Sequence, residues 1–414
     1  MTKYLHGVTV NHSTDEAPAI QSVGYGVIGL VATAPNCESE FEFLSGNTFS
    51  QPLLVKDYAL FNRLKEEHNR LSEVEREKAV KEKEAGNQES LIEFEKSKYN
   101  QPFIPLGNLK SSLDGIFAQT RCQVVVVCVK QDGDNTPNPE EIAKGVEQLT
   151  NAESVLGVSP KIIIAPEYSA LTDVRTAMIS VAERLSAFAM LDVAPEMTLA
   201  KLIKDGVDFA EKRVEVVAPR VKVGDEIVPA SPYHAGVMAR IHSEKGFWWS
   251  NSNQVIRGID GLAEPVSYKI DDAFATANQL NDKNITTIIR QNGYRVWGNR
   301  TTASTAKMAS FKNIVITNDV IADSLTRAHQ WALDRNITST YVEDVVEQVN
   351  NFLRQLTKQG AIAGGRCWAD QETNTADTLR QGKVTFDYEF SCFSPAEQIT
   401  FNARMTKTFL KEII

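Results

Sequence analysis

The chain has 414 residues, 42% hydrophobic and 23% charged, with 53 acidic against 44 basic side chains and a formal net charge of -9. That length holds two or three domains with real cores, and the acidic balance argues against a nucleic-acid reader, whose domains usually carry a concentrated positive face. No run approaches the apolar length of a membrane-spanning helix, and Met1 to Gly7 lacks the apolar stretch of a secretory signal.

In chain order, Leu5, Val8 and Val10 suggest a short strand, followed by a polar linker from Asn11 to Pro18. Ala19 to Ala34 is rich in Val, Ile and Gly and predicts one or two strands; Leu53 to Leu64 begins helically. From Arg63 to Lys98 the chain is dominated by Glu, Lys and Arg, with too few apolar positions for a core face. This predicts a solvated helical projection, either a hairpin or one long helix with a shorter one.

An α/β alternation comes next. Gln123–Val129, Lys161–Pro166 and Val214–Pro219 are nearly continuous apolar runs, the pattern of strands covered on both faces. Between and after them, Pro139–Leu149, Leu171–Met190 and Ala235–His242 have helical periodicity, with Phe188–Asp192 open to a second reading as a strand. Such alternation implies parallel pairing with right-handed crossovers.

The last third changes character. Thr286–Trp297 is strand-like, and Lys312–Thr317 reads as a short β segment before a helix beginning near Asp319. Tyr341–Leu356 carries a regular apolar face. Val384, Phe386, Tyr388 and Phe390 alternate with polar residues, as do Ile399, Phe401, Ala403 and Met405, predicting two half-buried strands. Thr408 to Ile414 ends the chain with apolar, β-prone character.

Motifs for chemistry are few. Gly24-Tyr25-Gly26-Val27-Ile28-Gly29 matches G-x-G-x-x-G, but the run from Val27 to Ala32 is strand-like and reaches Pro35 too soon for the helix a dinucleotide site requires. Glycines allowing close approach in a sheet are the plainer reading; an α/β oxidoreductase using Gly24–Gly29 stands as the alternative. The six histidines, among them His234 and His242, have no carboxylate or cysteine at ligand spacing. Five scattered cysteines make no disulfide framework and fit a reducing compartment. Cys122 and Cys128 are expected on one face of a strand as small buried hydrophobes. No cofactor or metal is expected.

Several segments, in this order and spacing, resemble the contractile phage tail sheath family, in particular the shorter sheath proteins of P2-like phages and R-type bacteriocins. They are Tyr4-Leu5-His6-Gly7-Val8, the Gly24 to Ala34 stretch, Gly246-Phe247-Trp248-Trp249-Ser250-Asn251-Ser252, Ile256-Arg257-Gly258-Ile259-Asp260-Gly261 and Gly293-Tyr294-Arg295-Val296-Trp297-Gly298-Asn299-Arg300-Thr301. The resemblance spans nearly the whole chain except the charged stretch, which looks like an insertion.

It implies a multidomain α/β fold: a discontinuous α+β assembly domain built from both chain ends, with an inserted α/β domain. The expected division is 1–18 (N-terminal arm and first strand), 19–265 (outer α/β domain, charged insertion at about 62–99), 266–405 (inner, tube-facing α+β domain) and 406–414 (C-terminal arm). Implied partners are further copies of the chain in stacked hexameric rings, a tail tube protein, and baseplate and tail terminator proteins. Neither membrane insertion nor nucleic-acid binding is expected, and the place is a virion tail or tail-like particle.

Tyr4, Leu5, Val8 and Val10 at one end and Thr408, Phe409, Leu410 and Ile413 at the other are the expected strand-exchange residues, because short β-prone ends can add to a neighbour's sheet edge. Arg290, Arg295, Trp297 and Arg300 are expected at the tube-facing or inter-subunit surface, as Trp and Arg favour interfaces.

Overall fold

The computed structural model of the chain describes residues 20–22, 24–34, 48–57, 59–84, 107–131, 138–303 and 310–406. Its strands, in chain order, are β1 (Ile28–Thr33), β2 (Leu53–Val55), β3 (Val124–Val129), β4 (Ile162–Ile164), β5 (Phe188–Asp192), β6 (Val214–Val217), β7 (Val221–Val223), β8 (Glu226–Val228), β9 (Val255–Ile256), β10 (Gly261–Leu262), β11 (Ile285–Arg290), β12 (Tyr294–Trp297), β13 (Ile362–Trp368) and β14 (Asp387–Cys392). The longer helices are α1 (Ala59–Glu84), α2 (Leu109–Phe117), α3 (Pro139–Gln148), α4 (Thr172–Leu185), α5 (Ser231–Lys245), α6 (Lys312–Ala328) and α7 (Ser339–Gln359).

Nine strands form one sheet in the order β2-β3-β1-β4-β5-β6-β11-β12-β9. The six from β3 to β11 in that order are parallel. Antiparallel β2 closes one edge, and β12 and β9 close the other. Every residue of β1, β3, β4, β5 and β6 is buried, because these aliphatic runs lie between two helical layers.

On one face α3 and α4 supply Ile142, Val146, Val174, Met178 and Val181 against Val31, Val127, Ile163 and Leu191. On the other, α2 and α5 pack Leu113, Ile116 and Met238 against Leu30, Val126, Ile164 and Met190. Helix α4 stops at Ser186, which adopts a left-handed conformation with φ 48°, so Phe188–Asp192 is the strand of the two readings.

The C-terminal third joins the same core. Ile316, Val320 and Ile321 of α6 and Val349, Phe352, Leu353 and Leu356 of α7 share a cluster with Leu30 and Val126. Helix α7 begins where Thr338 accepts a hydrogen bond from the Tyr341 amide at 3.1 Å and ends at left-handed Gly360. Beyond it β13 and β14 form a separate two-stranded antiparallel sheet.

Four expectations change. Lys312–Thr317 is the first part of α6, not a strand: all six residues are buried, so a β-branched run surrounded by protein loses the periodicity that separates helix from strand. The division at 265/266 runs through the large sheet, since β11 pairs with β6 and carries β12 with it. Leu53–Val55 is an edge strand, and the helix starts at Ala59. Ile399–Met405 forms no strand with the described residues; Ile399, Phe401 and Met405 are 70%, 89% and 105% exposed. One 26-residue helix, α1, runs from Ala59 into the charged stretch, and its described side chains are mostly exposed. The N-terminal segment 1–18 and the remainder of the charged stretch lie outside the described residues.

Candidate assembly surfaces

Helix α6 carries Lys312, Asp319 and Asp323, spaced seven and four apart and therefore on one face. All three are ion-paired to the sheet layer. The Lys312 ammonium donates to Glu215 of β6 at 2.5 Å and to the Gly298 carbonyl at 2.9 Å, with both ionic side chains almost fully buried. Arg213, just before β6, donates through Nε to Asp319 at 2.9 Å and through another nitrogen to Glu183 at 2.6 Å. Lys161, just before β4, pairs with Asp323 and donates to the Leu185 carbonyl.

Burial lowers the Lys312 pKa while Glu215 opposes that shift. Burial raises that of Asp319 against the pull of Arg213. Removing one member of such a pair strands a charge at low dielectric, so the joint resists partial separation. Sequence reasoning did not single out these residues, although a glutamate inside Val214-Glu215-Val216-Val217 was the available signal.

The β13–β14 sheet is built differently. Leu353 of α7 and the partly buried Phe386 and Phe390 anchor it to the core, while Trp368, Tyr388 and Phe393 are exposed. Gly365 in β13 has to be a glycine, because a Cβ there would stand 2.8 Å from the Glu389 carbonyl oxygen. Neither strand has a second strand neighbour among the described residues. At one end of the sheet side chains stand in for a neighbour. The Asn350 amide takes the Cys367 N–H at 2.8 Å and donates to its carbonyl at 2.9 Å. Asn374 does the same for Thr385, at 2.8 and 2.7 Å.

The expected surface residues fall in two places. Arg290 is exposed, its guanidinium 5.7 Å from the Tyr294 ring. Arg295 donates to the carbonyls of Gln291 (2.9 Å) and Asn253 (2.8 Å). Trp297 meets the Tyr268 ring edge-on at 4.9 Å. Arg290, Arg295 and Trp297 share the β11–β12 hairpin. Arg300 lies beyond it and grips Glu397 of the C-terminal segment. Tyr4, Leu5, Val8, Val10, Thr408, Phe409, Leu410 and Ile413 lie outside the described residues.

The glycine motif leads into a central strand, not a helix. A Cβ on Gly29 would meet Pro160 at 3.0 Å and Leu149 at 3.1 Å, so this glycine serves helix–sheet packing.

His234 and His242 are buried in α5, and burial pushes both pKa values down to about 4. The His242 Nδ1 lies 3.0 Å from the Tyr25 carbonyl oxygen. Asp192, at the end of β5, accepts the amides of Ala230 and Ser231 at 2.9 and 2.8 Å, tying the start of α5 to the sheet. Burial raises its pKa to about 6 against the Ser231 bonds.

Cys128 is buried, and Cys122 packs against the same cluster, on one face as expected. Burial holds the Cys122 thiol up at about 12. Among the described residues no group of three His, Cys, Asp or Glu side chains could hold a metal ion, and no helix is long and apolar enough to cross a membrane.

Comparisons with known proteins agree with this architecture. Residues 143–302 match the family model of the phage tail sheath protein central domain, and 304–406 that of the phage tail sheath C-terminal domain. A prophage major tail sheath protein of Pseudomonas aeruginosa is 39% identical over 71% of this chain and 80% of its own length. The tail sheath protein of Escherichia phage P2 is 27% identical over 100% of this chain and 98% of its own. Among solved structures, the helical sheath of the anti-feeding prophage in its contracted state shares the fold, with a TM-score of 0.68 at 16% identity over 98% of this chain and 100% of that one. The contracted sheath of an extracellular contractile injection system aligns with a TM-score of 0.65 at 16% identity, over 98% and 99% of the two chains. The chain belongs to the contractile tail sheath family.

Proposed function

We propose that this chain is a structural, non-catalytic protomer that polymerises as stacked hexameric rings around an inner tube and drives that tube through a target envelope by rigid-body rearrangement of its subunits. The observation that carries the reading is the C-terminal segment. Ile399, Phe401 and Met405 alternate with polar residues and are 70%, 89% and 105% exposed, following a two-stranded sheet that has no further strand on either edge among the described residues. An alternating strand without a sheet and a sheet without outer strands complement each other between copies, and main-chain pairing needs no preformed pocket. A head-to-tail contact that does not close on itself extends into an open helical polymer.

In this reading both chain ends act as arms, Tyr4–Val10 at one and Thr408–Ile413 at the other. The β14 edge and the free stretch of β13 receive them, up to the positions where Asn350 and Asn374 already occupy the backbone. The β11–β12 hairpin, with Arg290, Arg295 and Trp297, is the proposed contact with a tube protein or a neighbouring subunit. Baseplate and terminator proteins bound the polymer at its ends, in a virion tail or tail-like particle assembled in the host cytoplasm. No cofactor takes part; the driving energy is stored at assembly.

Electron microscopy of the purified chain tests this. Long striated tubes are expected, and they should vanish when residues 1–12 or the last eight are removed, with the truncated chains still folded. Parent-like tubes from both truncated chains would overturn the reading.

A further inference from the structure

Two side chains of the body hold the C-terminal segment after β14. Asn313, buried in α6, donates to the Phe393 carbonyl at 3.1 Å. Arg300 then closes on Glu397, with Nε 2.8 Å from one carboxylate oxygen and a terminal nitrogen on the other. Its remaining nitrogen donates to the Ser310 hydroxyl at 2.9 Å, and the guanidinium lies 4.5 Å from the Phe311 ring centroid.

The backbone beneath is pinned as well. Thr301 N–H donates to the Ser310 carbonyl at 2.8 Å, and Lys312 N–H to the Asn299 carbonyl at 3.1 Å. The fork is therefore oriented by the body before any carboxylate arrives. Apart from the Glu397 grip, residues 394–405 make no hydrogen bond with the described residues. Two residues past the grip, at Ile399, the exposed alternation begins.

We infer that Arg300 is a positioning residue for subunit joining: by fixing Glu397 it sets the line along which strand 399–406 leaves one copy for the β13–β14 sheet of a second copy. This rests on the strand-exchange reading above. A planar fork gripping both carboxylate oxygens defines a direction as well as a distance, which an ammonium does not. A segment held two residues before its pairing stretch samples fewer trajectories and reaches a neighbouring edge with less ordering cost. The pair is part-exposed, with Arg300 at 21% and Glu397 at 42%, so the segment is aimed without being buried in its own subunit.

The test uses the full chain under conditions in which the parent forms tubes, with Arg300→Glu, Glu397→Arg, the double exchange, Arg300→Lys, and a chain ending at Glu397. Each single reversal should lower sedimentable polymer by about tenfold or more, as expected when a tether loses its geometry. The double exchange should restore it, and Arg300→Lys should fall between. The thermal midpoint of the unpolymerised chain should stay at the parent value, which separates positioning from a structural role.

Single reversals that polymerise like the parent, while the chain ending at Glu397 does not, overturn the Arg300 inference and leave strand exchange standing. Tubes from the chain ending at Glu397 overturn strand exchange by the C-terminal segment, and the Arg300 inference with it. Should Arg300→Glu fail to fold, Glu397→Gln at the exposed partner decides: parent-like polymer refutes the role, and loss of polymer with an unchanged midpoint supports it.

Discussion

The large sheet and the β13–β14 sheet stand at opposite ends of one physical scale. In the first, β1, β3, β4, β5 and β6 are buried at every position between helices on both faces, and antiparallel β2 and β9 form the edges. In the second, two strands lean on α7 by one face, show Trp368 and Tyr388 to solvent, and precede an extended segment with Phe401 89% exposed. The first is written in nearly continuous apolar runs, whereas β14 alternates polar with aromatic residues and β13 carries Gly364, Gly365 and Arg366. Among the described residues the large sheet is therefore covered on both faces, and the C-terminal layer on one.

Breaking the covered sheet should give the largest effects. Glu215→Ala leaves Lys312 buried without its counter-charge and should cost about 3–5 kcal/mol in denaturant unfolding, whereas Glu215→Leu with Lys312→Met should cost far less. Equal losses in the two would mean that the pairing is immaterial.

Acid comes next. His234 and His242 are held neutral in the fold with pKa values of about 4, below the unfolded value of about 6.5, so the unfolded chain binds more protons between those limits. Stability should fall as pH drops from 6.5 towards 4, by about 3 kcal/mol for each histidine. Asp192 works the other way. Its folded pKa of about 6 exceeds the unfolded value, so it adds stability as pH falls through that window. Asp192→Asn should therefore steepen the acid loss seen in melting curves; an unchanged slope would contradict the assignment.

A smaller loss, about 1–3 kcal/mol from overpacking, is expected for Gly29→Ala, whose new Cβ meets Pro160 and Leu149. Phe401→Ser should leave the unfolding free energy within about 0.5 kcal/mol, as for any exposed position, while reducing polymer yield in sedimentation. A destabilised monomer would show that Phe401 belongs to its own subunit's core.

Much of the sheet was legible because Val124–Val129, Ile162–Ile164 and Val214–Val217 are short apolar runs flanked by helical periodicity. The burial face of α7 was legible for the same reason. Lys312–Thr317 was not, since total burial erases amphipathic spacing in helix and strand alike. Strand β13 was hidden by Gly364-Gly365, a pair that reads as a break until the close approach of Glu389 is seen.

The alternation at 399–405 predicts a half-buried strand, whereas among the described residues this segment pairs with no strand and stands exposed, because alternation marks a tendency to pair and not the partner. The expected surface arginines divide similarly. Arg290 and Arg295 lie on the hairpin, while the partner of Arg300 is 97 residues away, a pairing that spacing cannot show.

The ion pairs of α6 have one more consequence. Read along the helix, Lys312, Asp319 and Asp323 carry charges plus, minus, minus, and the surface beneath answers with Glu215, Arg213 and Lys161: minus, plus, plus. That match works in one register. A slide of seven residues, about 10 Å along the axis, would set Asp319 against Glu215, acid against acid. Sliding the helix along its axis is therefore opposed by like charge, which fixes α6 in a single position against the sheet layer.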